Sequence, residues 1–150
     1  MRRLRKRIIQ PLLREQVLQK TDLVAPLFID ETASSRRAIP SMPGQFRYPP
    51  REVESVARDL WDTGIRAVLL FGIPKEKDAQ ASSAYDPDGV VQRGIRSIKN
   101  SVPGMVVITD VCACEYTDHG HCGIVGDTHS GIDLLNDPSL DVMDRIALSH

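Results

Sequence analysis

Apolar residues along the chain fall into two kinds of pattern. Residues 22–30 (DLVAPLFID), 67–73 (AVLLFGI) and 105–111 (MVVITDV) are short continuous apolar runs, the pattern of strands buried on both faces. Pro26 interrupts the first of them near its start. Between the runs the period changes. Over residues 49–63, Val53, Val56, Ala57, Leu60 and Trp61 recur at i, i+3, i+4, i+7 and i+8, and Gly64 stands where a left-handed C-terminal cap belongs. Residues 88–100 predict a weaker second helix, with Val91, Ile95 and Ile98 on one face and Gly89 and Gly94 lowering its propensity. Near the end, Asn136-Asp137-Pro138 predicts an N-cap followed by proline at the first helical position, and Leu140, Met143, Ile146 and Ala147 continue as a third helix. Residues 31–50 are polar and proline-rich around the turn signal Ser41-Met42-Pro43-Gly44, and are expected to lack regular structure. A loop of that length is usually functional or contact-forming.

Strand, helix, strand, helix, strand, helix is an α/β order, with parallel strands and right-handed crossovers expected. It amounts to about three βα units. Three strands cannot close an eight-stranded barrel, and the last residues, Ala147-Leu148-Ser149-His150, carry no polar tail. The expectation is a chain that stops in mid-architecture: a basic N-terminal arm over residues 1–21 and an incomplete domain over residues 22–150.

Composition narrows the classes. Of 150 residues, 41% are hydrophobic and 26% charged, values of an ordinary folded domain and not of a disordered chain. No apolar run approaches the ~18–20 residues of a membrane span, so no membrane association is expected. The net charge of −1 conceals a division. Arg2, Arg3, Arg5, Lys6, Arg7 and Arg14 fall within residues 1–14 without a single acid, which leaves the remainder at −7. That balance argues against a nucleic-acid-binding body. No apolar stretch follows the basic segment and it contains no serine, so it reads as neither a secretory signal nor a mitochondrial presequence. A cytoplasmic protein is expected, its arm solvated or lying on another subunit.

The chemistry concentrates at one address. All three cysteines fall within residues 112–122, beside His119, His121, Asp110, Glu115 and Asp118. In a reducing compartment such clustering more often marks metal or catalysis than a disulfide. Cys112 and Cys114 lie two apart at the end of the third apolar run, where period-two geometry aims both sulfurs and Asp110 to one side. Gly120 and Gly123 would permit the turn that returns Cys122. Thiolates and imidazoles suit Zn²⁺, and ligand sites of parallel α/β sheets lie at the carboxyl ends of the strands. Three arrangements stay open: free thiols, a closed four-coordinate site that includes one histidine, or three cysteines with an exchangeable fourth position. His119 and His121 are read as residues around the metal or at the surface unless one of them completes the closed site, and His129 and His150 as surface residues. Lys75 and Lys77, in a polar loop, are read as solvated.

Residues 39–44 (IPSMPG), 70–74 (LFGIP), 86–93 (DPDGVVQR) and above all 109–123 (TDVCACEYTDHGHCG) together resemble porphobilinogen synthase, the 5-aminolevulinic acid dehydratase family of tetrapyrrole biosynthesis. The likeness runs nearly end to end, in order and with matching spacing, and is to the zinc-using branch. It implies the N-terminal part of a TIM barrel, Zn²⁺ held by Cys112, Cys114 and Cys122, and Asp110 facing the same pocket beside the second substrate. It implies condensation of two 5-aminolevulinate molecules to porphobilinogen with loss of two waters. It also implies an arm that embraces a neighbouring subunit in a homo-octamer.

Two departures accompany the match. The family's Schiff-base lysines belong to the later half of its barrel, and none of Lys75, Lys77 and Lys99 aligns with them. Glu115 and Asp118 stand where many members have Pro and Ser, adding negative charge near the metal while removing no ligand. The alternative reading is a non-catalytic zinc-binding α/β fragment or remnant that acts through a partner.

Overall fold

The computed structural model describes residues 7–129 and 131–150; Arg2, Arg3, Arg5 and Lys6 of the basic segment lie outside them. The described residues build a mixed five-stranded sheet, a separate two-stranded hairpin and three α-helices. Strand β1 (Val24–Asp30) pairs in parallel with β4 (Ala67–Ile73) along its whole length, and β4 pairs in parallel with β5 (Val106–Thr109). Helix α1 (Val53–Asp62) connects β1 to β4, and α2 (Val90–Ser101) connects β4 to β5. This is the winding of a (β/α)8 barrel carried through its first three strands, the α/β architecture the apolar pattern predicts.

The helices form where the apolar stripe can be buried. Val53, Val56 and Ala57 of α1, with Val90, Val91 and Ile98 of α2, pack on Leu27 and Ile29 of β1 and on Val68 and Leu70 of β4. Gly64 follows α1 at φ +99°, the left-handed cap its position predicts. The Lys20 ammonium donates to the Thr63 carbonyl at 2.9 Å, a cation at the negative end of the same helix.

Several expectations need correction. Residues 31–50 are not without regular structure: β2 (Arg37–Ala38) pairs antiparallel with β3 (Phe46–Tyr48), and β3 adds in parallel to β1 at Phe28 and Ile29. These strands were hidden because each is three residues or fewer, too short to show a period. Pro26 is tolerated in β1 because β3 reaches only Phe28 and Ile29, so the sheet edge beside the proline demands no donor. The strands are not buried on both faces. Leu27, Ile29, Val68 and Leu70 lie under the helices, whereas Phe28 and Phe71 stack on the other face at 5.0 Å, and Val106 and Ile108 of β5 are exposed.

Helix α3 (Asn136–Ser149) starts earlier than its cap signal indicates, with Leu135 at the N-cap and no side-chain cap bond. Its buried residues are Val142 and Ile146 with Met143 packed beside them, while Leu140 and Ala147 face solvent. A hairpin of β6 (Val125–Thr128) and β7 (Gly131–Leu134) stands apart from the main sheet; its strands are four residues each, and the alternation of Ile132 and Leu134 in β7 is too short to mark a strand in the sequence. The described part of the arm, residues 7–21, holds a short 3-10 turn over Gln10–Leu13 and buries none of its residues. Ile8, Leu12, Val17 and Leu18 stand exposed there, an apolar content that its charge conceals.

The loops at the carboxyl ends of β4 and β5 are held by two local devices. Gly72 leaves room that a Cβ would fill, since an added carbon would lie 2.6 Å from the Tyr116 hydroxyl and from Val91, and 2.7 Å from Val90. Asp78 shapes the loop after β4: its Oδ1 accepts from the backbone N–H groups of Gln80 (2.9 Å) and Ser82 (3.0 Å), with Ala81 between them at φ +52°.

Gly72→Ala is expected to destabilise the protein by about 1–3 kcal/mol through overpacking, measured by denaturant unfolding; an unchanged midpoint would contradict the close packing of Tyr116. The Ser82 N–H, the largest cause, holds the Asp78 carboxyl below the usual carboxylate range. A carboxylate depressed in the fold stabilises it above the unfolded-state value and loses that contribution as pH falls through the folded one. The stability difference between the protein and Asp78→Ala should therefore be full near neutrality and shrink as pH falls below about 4; a difference independent of pH would contradict the role of the charge.

Candidate metal centre

The site grows out of the end of β5. The last ladder contact is the Asp110 N–H on the Leu70 carbonyl at 3.4 Å. Strand geometry stops at Thr109, so alternation along a strand is not what aligns Asp110, Cys112 and Cys114. A turn does it instead. Ala113 is fully buried, and its carbonyl accepts from both Tyr116 N–H and Thr117 N–H at 2.9 Å, which folds the chain back on itself immediately after Cys114.

Three sulfurs converge. The Sγ atoms of Cys112, Cys114 and Cys122 all lie within 4.8 Å of one another, with Cys112 and Cys114 at 3.2 Å. Cys112 and Cys114 are partly buried and Cys122 is exposed. A second group overlaps the first: donor atoms of Asp110, Cys112 and Glu115 also lie within 4.8 Å. Among the described residues these are the groups of at least three potential donors so disposed. Neither His119 nor His121 belongs to them. Their rings stack at 5.5 Å, and His119 Nδ1 accepts the His121 N–H at 3.2 Å.

Glu115 takes a larger part than its sequence position suggests. Cys114 Sγ donates to Glu115 Oε2 at 3.0 Å. Burial and this hydrogen bond push the Cys114 thiol up, and contact with Cys112 raises Cys122. The Asp110 carboxyl is raised by burial and then by the Glu115 charge. Burial leads for Cys114 and Asp110 and the Cys112 contact leads for Cys122, and the Glu115 charge adds to all three. A divalent cation relieves the crowding of these groups, and the donor set fits one. Tetrahedral zinc with bonds of about 2.3 Å places its sulfurs about 3.8 Å apart, between the shortest separation here and the outer limit.

The loop is tied to its neighbours. The Asp78 N–H donates to the Tyr116 carbonyl at 3.2 Å, and the Asp118 N–H donates to the Asp78 carbonyl at 3.3 Å. Between them Thr117, buried, sends its hydroxyl to the His121 carbonyl at 3.0 Å, next to Cys122. Beside the thiols a concavity of about 390 Å³ is lined by Arg47, Ile73, Lys77, Cys114, Glu115 and Gly120, a size in the ligand-pocket range. Asp110, Cys112, Glu115 and Tyr116 also line a smaller cavity of about 10 Å³, room for about one water.

Other site expectations divide. Lys75 and Lys77 are exposed and His129 is exposed, as the loop composition predicts. His150 is not a surface residue: it is half-buried with both ring nitrogens sheltered, and burial lowers its pKa against the opposing Asp110 charge. Sequence reasoning missed Gln92, whose amide is buried in a helix face and donates to the Ala84 carbonyl and Ser149 Oγ, both at 2.8 Å. The break it makes in an apolar stripe was its one signal. It also missed Asp78, although an aspartate two residues ahead of a turn is a recognisable signal.

The family model described as delta-aminolevulinic acid dehydratase matches residues 1–150. The delta-aminolevulinic acid dehydratase of Methanothermus sociabilis is 47% identical over 151 residues, spanning all of this chain and 46% of that protein. That of Methanothermobacter thermautotrophicus is 50% identical over 153 residues, again all of this chain and 45% of the relative. Among solved structures, delta-aminolevulinic acid dehydratase (porphobilinogen synthase) from Toxoplasma gondii ME49, in complex with the reaction product porphobilinogen, aligns with a TM-score of 0.85 and 29% identity. The alignment covers 99% of this chain and 42% of that one. The chain spans somewhat less than half the length of these relatives, at their N-terminal side. A match that runs through every described element, the cysteine loop included, decides the family: the chain belongs to the delta-aminolevulinic acid dehydratases.

Proposed function

We propose that this chain carries the metal-binding half of an active site that condenses two 5-aminolevulinate molecules to porphobilinogen. The observation that carries the reading is the convergence of Cys112, Cys114 and Cys122 within 4.8 Å at the carboxyl end of a barrel strand. In this reading the three thiolates hold one zinc ion and leave its fourth position for substrate. Zinc held there supplies Lewis acidity to the second substrate's carbonyl or a hold on its amine.

The chain's own groups define what surrounds that position. Asp110, raised by burial and by Glu115, faces the cavity beside Cys112 and orients the second substrate. Arg47 and Lys77 place positive charge at the rim of the larger concavity, which favours a carboxylate-bearing ligand. None of the chain's lysines in described elements is shaped as a Schiff-base amine. Lys75 and Lys77 are exposed, and the Lys20 and Lys99 ammoniums are spent on backbone carbonyls. The covalent anchor for the first substrate would therefore come from elsewhere in the complete protein.

Two features bear on assembly. Residues 1–21 act as an arm and residues 22–150 as part of the barrel. The exposed Ile8, Leu12, Val17 and Leu18, together with basic side chains against a body of opposite charge, suit the arm to a neighbouring subunit of a homo-octamer. Among the described residues no helix is long and apolar enough to cross a membrane, and a cytoplasmic enzyme fits the reduced thiols. The alternative, a zinc-binding module without catalysis, shares the metal site and differs in product.

The test is metal analysis of the intact, reduced protein together with an assay for porphobilinogen. One zinc per chain is expected, with turnover of 5-aminolevulinate by the complete protein and none by residues 1–150 alone, and Cys112→Ala plus Cys122→Ala should lose both the zinc and the turnover. A full equivalent of zinc retained by the double variant would sink the ligand assignment. Zinc binding without product from the complete protein would favour the non-catalytic module.

A further inference from the structure

Of the three thiols, two precede the turn of the cysteine loop and one follows it. Cys112 and Cys114 are fixed by their proximity to β5, whereas Cys122 comes back only if residues 115–121 are held in one path. That path is set from outside the loop. The peptide of Asp78 grips it at two points, with its N–H on the Tyr116 carbonyl at 3.2 Å and its carbonyl receiving the Asp118 N–H at 3.3 Å. The grip brackets Thr117, whose side chain then fastens the returning limb through the His121 carbonyl at 3.0 Å. No covalent link and no contact between Asp78 and a sulfur is involved.

The Asp78 peptide can grip because its own carboxylate fixes it. Oδ1 accepts from Gln80 N–H and Ser82 N–H, and the carbonyl that receives Asp118 also accepts the Ala81 N–H at 3.3 Å. Ala81 holds a left-handed φ of +52° while fully buried, a conformation an alanine keeps only where its neighbours impose it. Removing the carboxylate frees the turn, and with it both ends of the grip. Groups that orient metal ligands from outside the first sphere affect metal affinity, so slack of this kind reaches the metal.

We propose that Asp78 is a positioning residue for the metal centre, acting through Tyr116, Asp118 and Thr117 to hold Cys122 against Cys112 and Cys114. The inference rests on the reading that these thiols bind the metal. It assigns to the loop after β4 a share in metal affinity that its distance from the sulfurs conceals.

The experiment uses the intact protein loaded with Co²⁺ in place of zinc, with zinc affinity measured by chelator competition. Asp78→Ala is expected to weaken zinc at least tenfold, within the ~10–100-fold range of residues that orient ligands from outside the first sphere, and to shift the cobalt ligand-field bands. Asp78→Asn, which keeps the side-chain oxygen acceptor, should restore both. Thr117→Val, isosteric and on the far side of the grip, should weaken zinc in the same direction. Its effect should be less than additive with Asp78→Ala.

Affinity within twofold of the unmodified protein and superimposable cobalt spectra for Asp78→Ala would overturn the inference. So would an Asp78→Asn variant as impaired as the alanine one. Should Asp78→Ala fail to fold, Thr117→Val with unchanged affinity would overturn it equally. Absence of any thiolate-to-cobalt charge-transfer band in the unmodified protein would instead sink the metal reading itself, and this inference with it.

Discussion

Three sulfurs within 4.8 Å, with Glu115 at 3.0 Å from one of them and Asp110 close by, form an arrangement that electrostatics disfavours once any of them ionises. The backbone must impose it. What imposes it is a set of main-chain hydrogen bonds anchored on β4: the Leu70 carbonyl takes the Asp110 N–H, and the loop after Ile73 presents the Asp78 peptide to Tyr116 and Asp118. Strand β4 is paired in parallel on both edges, with β1 along its whole length and with β5 from Ala67 to Leu70, and it lies over the buried stripes of α1 and α2. The rigidity of the core is thus delivered to the site through β4.

The same strand explains why the site lies where it does. Its even positions, Val68, Leu70 and Gly72, pack under the helices, and the smallest of them leaves the space that Tyr116 enters from the cysteine loop. Its odd positions face the other side, where Phe71 stacks on Phe28. The cysteine loop crosses from one layer to the other at the carboxyl ends of the strands. It combines a tightly packed root, Ala113 and Tyr116, with an exposed tip, Cys122. Buried backbone and accessible sulfur are both what the proposed metal centre requires.

Much of this was legible in the sequence, for identifiable reasons. The continuous run AVLLFGI and the i, i+3, i+4 stripe of Val53, Val56 and Ala57 announce β4 and α1, because burial of a whole face leaves a periodic trace. The spacing of the three cysteines announces their chemistry, although the physical reason differs: a turn at Ala113 aligns them, not the alternation of a strand. What was not legible lacks periodicity. Strands β2 and β3 are two and three residues long, and β6 and β7 are four residues each, with β7 exposed throughout. Helix α3 buries Val142 and Ile146 rather than Leu140 and Ala147, a choice made by the loops it packs on. Asp78 acts through its peptide, which no side-chain pattern reveals.

The central claim is that three cysteine sulfurs, and no histidine, form the metal's protein shell. X-ray absorption at the zinc edge of the intact, zinc-loaded protein tests it most directly. The account predicts three sulfurs at about 2.3 Å and one lighter oxygen donor at about 2.0–2.2 Å, without the outer-shell scattering of an imidazole ring. A first shell with fewer than three sulfurs, or with the signature of His119 or His121, would contradict it.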